Sequence, residues 1–178
     1  MELLKVYDPP TKVEKGYLPK MLKLLAKKGT IACTRENKEA HFTASAWIIN
    51  PHDKEVLLLH HKKLKKWLQP GGHADGEMNL EIVARKEANE ETGLENLTRI
   101  NNQIFDIDIH TIPEHKGIAE HKHYDVRFAY FCTNKDETQI NLESNDFQWI
   151  NLNQIESLTD EPSILRMVEK SKNILNGL

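Results

Sequence analysis

Gly71-Gly72-His73-Ala74-Asp75-Gly76-Glu77, leading into Lys86-Glu87-Ala88-Asn89-Glu90-Glu91-Thr92-Gly93-Leu94, sets a glycine-rich turn ahead of a carboxylate-loaded segment. Glu87, Glu90 and Glu91 stand at i, i+3 and i+4, so a helix here places their side chains on one face. Gly93 is its expected stop. At about 100° per residue, Leu80, Val83, Ala84 and Ala88 form an apolar stripe, and Glu87 and Glu91 project within the same arc. A carboxylate turned toward an interior is costly unless it is hydrogen-bonded, ion-paired or metal-bound. This face therefore calls for a cation. The bland alternative is a solvated helix with ordinary pairs such as Lys86 with Glu90.

These residues resemble the Nudix box: Gly, five residues, Glu, seven residues, Arg-Glu, an aliphatic, any residue, Glu-Glu, any residue, Gly and an aliphatic. Aligned from the C-terminal end, Glu87, Ala88, Glu90, Glu91, Gly93 and Leu94 are in register. Lys86 stands where the pattern has arginine, and Met78 where it has the upstream glutamate. Glu77 lies one residue early, which a one-residue slip in the loop accounts for. Lysine keeps the positive charge but not the planar fork that holds a carboxylate bidentately.

The resemblance implies an α/β fold, a Nudix-like α/β/α sandwich around a mixed β-sheet. It also implies hydrolysis of a phosphoanhydride in a nucleoside diphosphate linked to another moiety. Mg²⁺ or Mn²⁺ is the implied cofactor, since both take oxygen ligands and are shared between carboxylates and phosphates. By position, Glu87, Glu90 and Glu91 are the expected metal ligands, with Gly71 or Gly72 offering a backbone carbonyl. Glu90 and Glu91 are also expected in catalysis. Glu77 is either an outer ligand or a cap for the helix. Gly71, Gly72, His73 and His123 are expected against the substrate.

A second polar cluster runs from His110 to Asp125, where four histidines, two glutamates and an aspartate crowd a loop between strands. In Nudix-like enzymes a loop at this place often supplies a further catalytic carboxylate. Glu114 and Glu120 are the candidates, with Glu120 favoured because it precedes the strand near His123. His121, His123 and Asp125 alternate, so they share one strand face and can reach phosphate or metal. The alternative is a polar loop with solvated histidines.

The rest of the chain fits one domain with an appendage. Residues 1–40 read as an N-terminal extension with a short basic helix from Pro19 to Lys28, ended by Gly29. Residues 41–178 read as the Nudix-like domain. Strands are expected at 42–49, 55–60, 104–110, 124–132 and 147–150, and a closing helix at 162–175 with Asp160 as its cap. With 178 residues, 39% apolar and 29% charged, the composition is that of a soluble globular protein. A cytoplasmic protein is expected, with no membrane span and no signal-like apolar core. The net charge of -3 gives no nucleic-acid footprint. Cys33 and Cys132, far apart in strand-like contexts, suit reduced core thiols. The expected partner is a small-molecule nucleotide substrate, and oligomeric state is open, a homodimer included.

Two other classes compete with the hydrolase. A non-catalytic nucleotide-ligand sensing module is one, which the three retained acids argue against. An isoprenoid diphosphate isomerase is the other, and by resemblance it requires a cysteine near the active face.

Overall fold

The computed structural model describes residues 1–115, 117–142 and 144–177. Its framework starts with β1 (Ala40–Asn50), in which all 11 residues are buried, the signature of a strand covered on both faces. The chain turns at Asn50, whose side-chain oxygen accepts from the backbone N–H groups of His52 and Asp53. Antiparallel β2 (Glu55–His61) follows, then β3 (Lys66–Leu68) and β4 (Gly71–His73). Helix α3 (Leu80–Thr92) leads to β5 (Thr98–Arg99), β6 (Asp106–Ile112), β7 (His121–Phe131) and β8 (Ser144–Asn151).

The strands form one eight-stranded sheet, ordered β3-β2-β1-β7-β5, with β4 on β1, β6 on β7 and β8 on β2. Lys122 N donates to Glu39 O and Cys132 N to Ile49 O, with the same sequence offset at both ends. β1 and β7 therefore run parallel, whereas β2, β4 and β6 pair antiparallel to their neighbours, so the sheet is mixed. The result is α/β, a mixed sheet with flanking helices.

The chain separates into two compact units. The first comprises residues 1–45, 71–84 and 102–128. Its helices α1 (Glu2–Val6) and α2 (Lys12–Lys28) precede the sheet. α2 is longer than the expected helix, because Thr11 caps it eight residues upstream of Pro19. The Thr11 hydroxyl accepts from Glu14 N and donates to the buried Glu14 carboxylate, which also receives Tyr7 Oη. This reciprocal cap nucleates the helix early. Pro19 then lies inside it, where its ring removes one backbone donor without ending the helix. Gly29, at φ 57°, stops it as expected.

The second unit comprises residues 46–70, 85–101 and 129–178. Here α4 (Pro162–Asn176) buries Ile164, Met167, Val168 and Ser171. Its N-cap is Glu161 rather than Asp160, because Pro162 occupies the first turn and its fixed φ sets the start of the helix there. The indole N–H of the fully buried Trp47 donates to Ser171 Oγ at 2.7 Å. Both cysteines are buried free thiols. Cys33 sits in a 3-10 turn (Gly29–Cys33) rather than a strand. Among the described residues, no helix is long and apolar enough to cross a membrane.

The glycine turn is locked to β1 by close approach. A Cβ on Gly71 would meet Ser45 Cβ at 2.4 Å and Ala44 O at 2.8 Å. Ser45 and Gly71 are direct partners in the β1–β4 ladder, so neither can withdraw without breaking the pairing. Gly71→Ala is therefore expected to lower stability by about 1–3 kcal/mol, the range of an overpacked site. A shift of the urea midpoint, measured against Gly16→Ala at an open position in α2, checks this.

Candidate active site

The loop into α3 is built from local hydrogen bonds. Asn79 Oδ1 accepts from Glu81 N, and Glu77 Oε1 accepts from Asn79 N at 2.6 Å. Glu77 is thus exposed and holds the entry of the helix, the geometry of a cap. Met78 turns the other way: its Sδ lies 3.4 Å from Cys33 Sγ. Arg35 grips Asp75 bidentately, with both bonds at 2.7 Å, and this fixes a residue at φ 44°.

Along α3 the expected stripe is buried: Leu80, Val83, Ala84 and Ala88 are all at or below 4% exposure. Glu87 and Glu91, one turn apart, are half-buried, whereas Glu90 is exposed. Lys86 lies 3.5 Å from Glu90, with side chains 61% and 54% exposed. Such a pair orients Glu90 but contributes little stability, because solvent screens it. The three glutamates therefore divide by burial into two half-buried members and one exposed member. The half-buried pair has the chemistry of a hard-cation site, two carboxylates at i and i+4 on a partly desolvated face.

The first unit carries a second constellation. Facing residues of β6 and β7 pair Asp106 with Arg127, Asp108 with Asp125 and His110 with His123. β1 adds His41, Thr43 and Ser45, and β4 adds His73 opposite Thr43. Period-two alternation puts all of these on one face. At its centre Arg127, 2% exposed, binds Asp125 through Nε at 2.8 Å and Asp106 through Nη1 at 3.3 Å, with Asp108 at 3.6 Å from Nη2. Thr43 and Ser45 donate to the two oxygens of Asp125 at 3.0 and 2.5 Å. The three surrounding carboxylates hold the Arg127 pKa above its usual value, against the opposing effect of burial.

This lattice was legible only in part. The alternation of His121, His123 and Asp125 stands in the sequence, and His110 belongs to the same polar cluster, but the sequence alone does not join them to Asp106 and Asp108 on the partner strand or to His41, Thr43 and Ser45 on β1. Their signal was the same period of two, with polar side chains at every second position.

Beyond Arg127 the face becomes a histidine cluster. The ring centroids of His41, His121 and His123 lie 4.9 to 5.1 Å apart, and His73 lies 4.8 Å from His123. Burial, and then the neighbouring Arg35, depress His73 to a pKa of about 4. Burial, followed by the surrounding histidines, depresses His123 to about 2. Both are neutral near pH 7, so neither brings a positive charge to a phosphate. Glu114 and Glu120 are exposed on the loop between β6 and β7, with Glu120 immediately ahead of β7.

The thiols are poorly suited to chemistry. Burial pushes Cys33 up to about 11 and raises Cys132 as well, which suppresses the nucleophilic thiolate.

A family model described as the NUDIX domain matches residues 39–170. The chain belongs to the Nudix family. Solved Nudix-fold structures agree in architecture. An Ap4A hydrolase of C. elegans in a binary complex superposes with a TM-score of 0.63 at 22% identity, covering 77% of this chain and 98% of that one. The E. coli dihydroneopterin triphosphate pyrophosphohydrolase gives 0.58 at 16%, covering 77% and 96%. The NUDIX domain of Shewanella oneidensis NrtR, complexed with ADP ribose, gives 0.56 at 17%, covering 79% and 92%. No curated protein matches the chain.

Family membership makes this chain a hydrolase acting on phosphoanhydride bonds. Its two departures from the Nudix box have local explanations. Met78 packs its thioether on Cys33, and Glu77 is engaged at the helix entry. Lys86 retains the charge of the usual arginine and pairs with Glu90.

Two outcomes are expected. Arg127→Met removes a guanidinium that faces three buried carboxylates and should cost about 3–5 kcal/mol, as loss of one partner of a buried pair does; chemical denaturation measures it. The histidines set a pH dependence of known sign. Their folded pKa values lie below the ordinary 6.5, so between about 4 and 6.5 the unfolded chain binds more protons and stability falls on acidification. In chelator-treated protein the thermal midpoint should drop across that window, and His73→Asn should flatten the drop.

Proposed function

We propose that the chain is a Mg²⁺- or Mn²⁺-dependent pyrophosphohydrolase that cleaves a nucleoside diphosphate linked to another moiety. The observation that carries this is the half-burial of Glu87 and Glu91 one turn apart on the helix that buries Ala84 and Ala88. Glu87 and Glu91 are the principal metal ligands in this proposal, Glu90 is the third, and Gly71 adds a backbone carbonyl. These residues would hold a divalent cation, whose chemistry there would be to neutralise pyrophosphate charge and activate water.

The remaining roles belong to the chain's own groups. Gly71 and Gly72 allow the backbone to approach phosphate oxygens, and His73 offers a neutral N–H to them. Lys86 keeps Glu90 oriented. Glu120, ahead of Glu114, accepts the proton of the attacking water, while Glu90 and Glu91 complete the charged frame. The water oxygen bonds to phosphorus, and the bridging anhydride oxygen leaves with its electron pair. Glu120 is favoured because it adjoins the first residue of β7, where the backbone is tied into the sheet, and ordered placement is what a general base needs.

The substrate class is tested by a panel of nucleoside triphosphates, nucleotide sugars, ADP-ribose, CDP-alcohols and dinucleoside polyphosphates, each with Mg²⁺ and with Mn²⁺. Turnover of at least one compound that ceases on chelation is expected. Glu87→Gln and Glu91→Gln should each lower kcat/KM by roughly 100-fold or more with an unchanged circular dichroism spectrum. Binding of a panel member without turnover would make the chain a ligand sensor instead.

A further inference from the structure

We propose that His41, His121 and His123 form a second metal site, of a different class from the carboxylate site: a three-imidazole centre for Zn²⁺ or a similar borderline-soft transition metal. His121 and His123 stand two residues apart on one face of β7, and His41 lies on the parallel neighbour β1. One nitrogen from each falls within 4.8 Å of the other two.

The hydrogen bonds decide which nitrogens are offered. His41 Nδ1 lies 3.2 Å from the Asn37 carbonyl and His121 Nδ1 lies 2.9 Å from the Ala119 carbonyl. A carbonyl only accepts, so each Nδ1 carries the proton, and in the neutral ring each Nε2 presents a bare lone pair. That arrangement, an Nδ1–H held by the backbone with Nε2 turned to the ligand, is how metal-binding histidines are oriented.

The His41 lone pair is also unsatisfied: its Nε2 is buried without a hydrogen-bond partner, as is Nε2 of His123, and His41 is only 4% exposed. An unprotonated phosphate oxygen cannot satisfy the His41 nitrogen, because both are acceptors. A cation can. Burial keeps His41 and His123 in the neutral form that a metal requires.

Ligand chemistry selects the metal. Three imidazoles without thiolate or carboxylate favour Zn²⁺, Co²⁺, Ni²⁺ or Cu²⁺ over Mg²⁺. Three protein nitrogens around Zn²⁺ leave a fourth position for water. Tetrahedral Zn–N bonds put the nitrogens about 3.3 Å apart, so modest ring rotations would close the cluster onto the ion. His73, in ring contact with both His41 and His123, walls the site on the β4 side.

The test is equilibrium dialysis of chelator-stripped protein against Zn²⁺ in a large excess of Mg²⁺, with Co²⁺ as a spectroscopic substitute. One Zn²⁺ per chain is expected, with a visible Co²⁺ absorption typical of four-coordinate nitrogen ligation. His121→Ala, at the half-exposed start of β7, and His123→Ala should each weaken Zn²⁺ at least ~100-fold, the upper end of what loss of an outer-shell partner costs. The Glu87→Gln/Glu91→Gln double variant should bind Zn²⁺ like the wild type. Nitrogen-15 spectra of the unsubstituted protein should show three Nε2 resonances moving on Zn²⁺ addition. Absence of Zn²⁺ uptake by the wild type, unchanged uptake by both histidine variants, or loss of uptake in the glutamate double variant would overturn the proposal.

Discussion

The carboxylate of Asp125 is the fixed point of the first unit. It receives Thr43 and Ser45 from β1 and the guanidinium of Arg127 from its own strand, and Arg127 passes the connection to Asp106 and Asp108 on β6. Every one of these groups is buried. A buried charge network admits few arrangements, since each unmade bond leaves an uncompensated charge. The pairing of three strands is thereby held in one register, because a slip of a single residue would turn all of these side chains to the opposite face.

That register determines what lies further along the same face. With Thr43 and Ser45 tied to Asp125, His41 necessarily points toward His123 and His121, and His73 is opposite Thr43 through the β1–β4 ladder. Gly71, opposite Ser45, has to lack a side chain for this ladder to form. The glycine turn is thus doubly constrained. It must approach β1 at backbone distance, and it must deliver the chain into α3 with its acids correctly phased.

How legible this was depended on the range of the interactions. The strands, α3 and its buried stripe are local matters of periodicity, and they stand in the sequence. The half-buried phase of Glu87 and Glu91 followed from the same periodicity. The early start of α2 rests on the Thr11–Glu14 cap, a pairing of side chain and backbone, whereas Pro19 in isolation reads as a helix start. The cap of α4 moves from Asp160 to Glu161 because Pro162 sets the helix start one residue later. The Arg127 lattice required knowing that β6 pairs with β7 and β7 with β1, information that no local pattern contains. The role of Met78 likewise depended on Cys33, brought near from far along the chain, whereas Glu77 bonds a backbone N–H only two residues away.

The docking of the C-terminal helix has an optical consequence. Trp47 is wholly removed from solvent, and its indole N–H is spent on Ser171 in the middle of α4. Trp149 is only partly covered and bonds Thr138, while Trp67 lies beside His60 near the end of β2. An indole in a dry, hydrogen-bonded pocket emits at shorter wavelength than one exposed to water. Intrinsic fluorescence therefore contains a native reporter for one event, the peeling of α4 from β1, and Trp47 would signal it even while the other two indoles kept their surroundings.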